Sequence, residues 1–207
     1  MKKITKLLLI RHGETSLNPD NRYLGKTNVS LNSKGIMQAK LIKKRIKDLS
    51  VDIIFTSPLK RAKETCEIVI NNKSMPMKMN SGLSEINFGL WEGLTYDEVK
   101  TKYQNQLAKW EKNPLINKPP KGETITEVLN RVSTFLREIL DTYREKHIAV
   151  VSSGGVLNII LCFLFNIKPK ALWQFRISCA SLSEVLIYPD NQVVLTLLND
   201  TSHLNKD

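Results

Sequence analysis

The stretch Lys6–Ile10, "KLLLI", is apolar with no polar alternation, and this constrains the fold more than any other feature of the chain. A strand with one wet face alternates, whereas a short uniform run fits a strand buried on both faces. "VDIIFTS", "IAVVSS", "SEVLIYP" and "VVLTLL" look similar. Between them helical patterns run from Ser33 to Leu49, Pro58 to Ile70, Glu123 to Arg144 and Gly155 to Phe165. Strands alternating with helices predict an α/β fold: three layers, α/β/α, around a mostly parallel mixed sheet with helices on both faces. The turn-rich "YPDNQ" between the last two strands predicts a C-terminal antiparallel hairpin.

The 207 residues fit one domain, 1–207. The stretch 82–121 has no strand of comparable strength and carries Asn113-Pro114, Pro119-Pro120 and two tryptophans. It reads as a lid or specificity excursion covering the sheet's edge. Trp91 and Trp110 there are either core residues or a surface on which an aromatic base packs. With 42% apolar and 25% charged residues the composition is average, so function rests on particular side chains. The net charge is +11, but the lysines are scattered along polar helix faces such as "QAKLIKKRIKDL" without interleaved aromatics. That pattern predicts no nucleic-acid partner and suits a small anionic substrate. Cys66, Cys162 and Cys179 are widely spaced and lack a C-x-x-C pair, which argues against a disulfide framework or a zinc site and for a reducing cytoplasm. The basic tip of "MKKITKLLLIRHGE" is like that of a signal peptide, but its apolar run stops at Arg11, so neither export nor a membrane partner is expected. The oligomeric state, a homodimer included, stays open.

In an open α/β sheet, ligands bind beyond the carboxyl ends of the strands. Those ends read "RHGET", "TSPLKR" and "SSGG". Arg11, directly after a core strand, needs an anionic partner. His12 follows it, and Gly13 lets the backbone turn. Ser57-Pro58 is a helix start, which puts Arg61 in the first turn, pointing back toward the strand ends. Arg11 and Arg61 together suit one phosphoryl group. The small residues of "SSGG", Gly154 among them, would present bare N–H groups at a helix N-terminus, where anions bind.

"LLLIRHGETSLNPDNRYLGKTNVSLNSKGIMQA", "FTSPLKRAKET", "LSEINFGLWEG" and "KGETITEVLNRV", in order over nearly the whole chain, resemble the histidine phosphatase superfamily, which includes cofactor-dependent phosphoglycerate mutases and fructose-bisphosphatases. The resemblance implies phosphomonoester hydrolysis through a phosphohistidine on His12, without a metal or other cofactor. Arg11 and Arg61 would neutralise the transferring oxygens, and Asn18, Gly25 and Gly154 would contact phosphate or substrate. Glu85 would be the proton donor and then the base for water, with Glu92 structural. The short length, "SEINFGLWEG" and "LNDTSHL" are similar to bacterial α-ribazole phosphatases, which implies α-ribazole 5′-phosphate dephosphorylation in cobalamin biosynthesis. Mutase-type phosphoryl transfer is the alternative, and it usually takes a longer lid.

One position departs from the family. Its members end the strand matching "IAVVSS" in Ser-His-Gly, where the second histidine holds the phosphoryl group; this chain has Ser153. His147 cannot substitute, because six residues of strand span roughly 20 Å. His203 in "NDTSHL" resembles a structural motif. Serine donates one hydrogen bond but has no charge, so the expected enzyme is slow rather than dead. Three accounts of Ser153 stay open: a deliberate replacement, a natural slow phosphatase leaning on another cation such as Lys26, or a phospho-ligand-binding descendant of an enzyme.

Overall fold

A computed structural model describes residues 4–70 and 75–205, so the basic tip at 1–3 lies outside the described residues. The elements run β1 (Thr5–Arg11), α1 (Ser33–Arg45), β2 (Ile53–Thr56), α2 (Lys60–Ile70), β3 (Met77–Met79), α3 (Tyr96–Lys102), α4 (Gln104–Lys112), α5 (Ile125–Thr142), β4 (His147–Ser152), α6 (Gly154–Leu164), β5 (Leu182–Ile187) and β6 (Val193–Asp200). The strands form one sheet in the order β3-β2-β4-β1-β5-β6. The pairs β3–β2, β2–β4 and β4–β1 are parallel; β5 is antiparallel to β1, and β6 to β5. This is the mixed α/β sheet with a C-terminal antiparallel hairpin that the alternation predicts.

Period-two alternation explains why the central strands read as uniformly apolar. Leu7 and Leu9 of β1, Phe55 of β2 and Val150 of β4 join one core with α5 and α6. Leu8 and Ile10, Ile54 and Val151 join a second core with Ile42 of α1 and Cys66 of α2. Every apolar position of these three strands is buried, on one side or the other.

Sequence and structure part where tertiary contacts decide. β3 escapes the pattern because it is a three-residue edge strand. The excursion 82–121 holds two short helices, α3 and α4, the first started by a capping box in which Thr95 and Glu98 satisfy each other's backbone. Its Val99, Leu107 and Trp110 join the α5–α6 core. α2 begins at Lys60 rather than Pro58, with the Ser57 hydroxyl accepting the Leu59 N–H at 3.3 Å. No helix among the described residues is long and apolar enough to cross a membrane.

Because β1, β2 and β4 are parallel, their C-terminal ends meet. Arg11 is level with Ser152, and Thr56 with Val151. The loop leaving β1 runs against the first turn of α1 at a pair of glycines: a Cβ on Gly35 would lie 2.1 Å from the Glu14 carbonyl oxygen, and one on Gly13 2.5 Å from that of Gly35. Both obstacles are backbone and cannot swing aside. Gly35→Ala should therefore overpack the junction by about 1–3 kcal/mol and lower the melting temperature by roughly 2–12 °C, which thermal denaturation will measure.

Candidate active site

His12 follows β1 directly. Its main chain is pinned on both sides, the N–H donating to the Ser152 carbonyl and the C=O accepting from the Ala180 N–H, each at 3.0 Å. The ring is buried, with Nδ1 2.7 Å from the Gly13 carbonyl oxygen and Nε2 3.2 Å from Nε of Arg61. A carbonyl only accepts and a guanidinium only donates, so Nδ1 carries the proton and Nε2 the lone pair. Burial pushes the imidazole well below its usual pKa, the charges of Arg61 and Arg11 act the same way, and the Gly13 hydrogen bond opposes them in part. His12 is a neutral imidazole of fixed tautomer.

Arg61 is fully buried in the first turn of α2. Its guanidinium donates to His12 through Nε, to the Thr27 carbonyl at 2.8 Å and the Gly25 carbonyl at 2.7 Å through Nη1 and Nη2, and more weakly to Oγ of Ser153 at 3.4 Å. Arg11 is less committed. Its Nη1 donates to the Ile177 carbonyl, while its buried Nε has no partner.

The first turn of α6 closes the site. Here two adjacent glycines admit side chains from elsewhere: a Cβ on Gly154 would meet Nη1 of Arg11 at 3.4 Å, and one on Gly155 would meet Oε1 of Glu85 at 2.8 Å. Glu85 is held by the Ile86 N–H, which donates to Oε1 at 2.8 Å, and by Arg131 of α5, which donates to the Glu85 carbonyl at 3.2 Å. Glu92 lines no part of this cleft and holds the loop behind it. It accepts from the Lys26 N–H at 2.8 Å and from the Thr27 hydroxyl at 2.5 Å. Gly25, at φ +51°, must be glycine, since a Cβ would fall 2.0 Å from Oε1 of Glu92.

Arg11, His12, Asn18, Gly25, Arg61, Glu85 and Gly154 all line one cleft of about 1080 Å³. Asn18 is fixed by its own loop, its Oδ1 accepting the Thr15 N–H at 2.8 Å. Ser153 does not reach the cleft wall; it is buried at the N-cap of α6 with no side-chain capping bond. Lys26 does not reach it either, and its ammonium pairs with Glu123 at 3.4 Å. His147 opens β4 at the far end of the sheet, beside the Ser50 carbonyl. His203 faces the Ala180 carbonyl at 2.9 Å.

Of the two readings the sequence leaves open for Trp91 and Trp110, the structure shows the core one. Trp91 and Trp110 are core residues, their rings edge-to-face at 5.7 Å. The cleft is lined instead by Trp173, 51% exposed, with Phe175 and Arg176 from the connection before β5, and by Tyr23 and Phe88. Trp173 offered no motif: it lies in a short helical turn whose place beside the cleft is set by packing on α6 and Trp110. Among the described residues no three His, Cys, Asp or Glu side chains group as metal ligands.

The model of the histidine phosphatase superfamily (branch 1) matches residues 7–201. Among curated relatives, phosphoserine phosphatase 1 of Hydrogenobacter thermophilus is 31% identical over 98% of this chain and 96% of its own length. The adenosylcobalamin/alpha-ribazole phosphatase of Escherichia coli is 30% identical over 93% of each chain. Among solved structures, the alpha-ribazole phosphatase of Shigella flexneri superposes with a TM-score of 0.87 at 29% identity, covering 94% of this chain and 96% of that one. With the family match spanning nearly the whole length, and relatives that are phosphatases aligning end to end, the chain belongs to branch 1 of the histidine phosphatase superfamily.

Proposed function

We propose that this protein hydrolyses small phosphomonoesters through a phosphohistidine on Nε2 of His12. One observation carries the reading: a buried, neutral imidazole whose unprotonated Nε2 lies beside two guanidinium groups at the mouth of an α-helix. That lone pair forms the N–P bond as the ester P–O bond breaks, the electron pair leaving on the alkoxide, which takes the carboxylic proton of Glu85. Water then gives a proton to the Glu85 carboxylate and its oxygen to phosphorus. The N–P bond breaks back onto Nε2, releasing phosphate. Arg11, the first-turn N–H groups of α6 and Asn18 bind the transferring oxygens, while Arg61 also presents the imidazole. The hydrogen bond from Arg61 to Nε2 must give way as phosphorus approaches.

Ser153 makes this a slow phosphatase in our reading. Its buried hydroxyl is neutral and contributes only a long contact to Arg61, and Lys26, tied to Glu123, does not replace the missing cation. For the substrate we favour α-ribazole 5′-phosphate. The aromatic wall of Trp173, Phe175, Tyr23 and Phe88 suits a flat leaving group, and the excursion 82–121, which supplies Glu85 and Phe88, acts as the specificity element. Phosphoserine is the second reading, favoured by the relative named for it and by the cationic Arg176 on the cleft, which suits a carboxylate.

Hydrolysis of an activated aryl phosphate, with chelator present, should be abolished by His12→Ala and raised about a hundredfold or more by Ser153→His. Silence of both the native chain and Ser153→His would instead identify a phospho-ligand binder, and unchanged hydrolysis by His12→Ala would remove the mechanism. Glu85→Gln should spare aryl phosphates more than alkyl ones; equal losses would end its role as acid. The pH profile has a definite sign. His12 must be deprotonated to attack and its pKa is lowered, so the acid limb of kcat/KM should fall below pH 6.5 once the substrate's own ionisation is taken out; a limb at or above 6.5 would contradict the buried neutral imidazole.

A further inference from the structure

Thr65 lies one turn after Arg61 on α2, is fully buried and touches no part of the cleft. Its hydroxyl donates to the Arg61 carbonyl four residues back at 2.7 Å. That spends the only hydroxyl proton and leaves the oxygen as an acceptor. The group it accepts from is the Gly13 N–H, at 3.1 Å, across 52 residues of sequence.

The bonds close into a ring. From the Arg61 carbonyl the path runs to the Thr65 hydroxyl, to the N–H of Gly13, through Gly13 to its carbonyl, to Nδ1 of His12 at 2.7 Å, and from Nε2 of His12 back to Nε of Arg61 at 3.2 Å. Arg61 enters twice, by main chain and by side chain. Gly13 has no side chain of its own to hold it, and the neighbouring Gly35 carbonyl leaves no room for one. The peptide after Gly13 is anchored separately, its N–H donating to Gln38 of α1 at 2.8 Å, so within this ring the His12 loop meets the helix that carries Arg61 at two points, the Arg61 side chain on the imidazole and the Thr65 hydroxyl on the main chain.

We propose that Thr65 is a positioning residue for phosphoryl transfer: its hydroxyl holds the His12–Gly13 peptide, which carries the imidazole, and the helix turn that carries Arg61 in one fixed relation. The inference rests on the phosphohistidine reading above. Thr65→Val keeps the β-branched shape and removes the hydroxyl, leaving the buried Gly13 N–H without an acceptor, so that the loop must shift to find one. A displacement of about an ångström at a nucleophile costs on the order of a hundredfold.

The test is single-turnover formation of phosphoenzyme from a 32P-labelled aryl phosphate, beside the inhibition constant of inorganic phosphate. Thr65→Val should slow labelling about 10- to 100-fold while phosphate affinity stays within about threefold, and Thr65→Ser should label within about threefold of the native chain. Labelling by Thr65→Val at the native rate would overturn the assignment, as would parallel losses of labelling and phosphate affinity, the mark of a loosened fold. Should Thr65→Val not fold, Thr65→Ser and amide exchange at Gly13 in the native chain decide: native labelling by the serine variant with a protected amide supports the inference, and exchange as fast as in an open loop overturns it. No label on the native chain would overturn the phosphohistidine reading and this inference together; label lost in His12→Ala but formed at full rate in Thr65→Val would overturn the inference alone.

Discussion

A guanidinium buried in the wall of the cleft has almost no exposed surface, and much of the local structure exists to make that tolerable. Removing such a charge from water costs several kcal/mol unless its hydrogen bonds are replaced. Arg61 meets the requirement with two main-chain carbonyls, an imidazole nitrogen and a hydroxyl rather than with a paired carboxylate. Its positive charge is therefore solvated without being cancelled, which is the state an anion-binding site needs. Burial lowers its affinity for a proton, and the more distant charges of Glu85 and Glu92 raise it.

The loop that offers those carbonyls is itself anchored. Glu92 takes the Lys26 N–H and the Thr27 hydroxyl, and Gly25 adopts a left-handed conformation in which no side chain would fit beside that carboxylate. Order thus passes from a glutamate outside the cleft, through loop 25–27, to Arg61 and on to His12. A residue can in this way be essential to the geometry while touching nothing that reacts.

Much of this was legible in the sequence, for a reason that also marks the limit. β1, β2 and β4 announce themselves because burial on both faces demands uninterrupted apolar runs, and Arg11, His12 and Arg61 are conspicuous because polar groups at the ends of such runs need a purpose. β3 is too short for any pattern, and α3 is held by its capping box, a Thr-x-x-Glu signal that could have been read. Ser153 was visible as an oddity, yet its depth below the cleft wall was not. Thr65 and Trp173 look ordinary in one dimension, and each acquires significance only through partners far away in the chain.

The junction between β1 and β5 has a wider consequence. Since β5 runs antiparallel to β1, the chain returns past the C-terminal end of β1 just before entering it, and the connection 165–181 lies along the cleft, with Ile177 and Ala180 anchored on Arg11 and His12. Arg11, His12, Arg61 and Gly154 thus belong to strand ends and helix starts, whereas Trp173, Phe175 and Arg176 of the cleft wall belong to the connection before β5. Drift in residues 173–176 can reshape that wall and leave the strand-end groups in place, and that separation gives a physical basis for one scaffold serving relatives named for substrates as unlike as phosphoserine and alpha-ribazole.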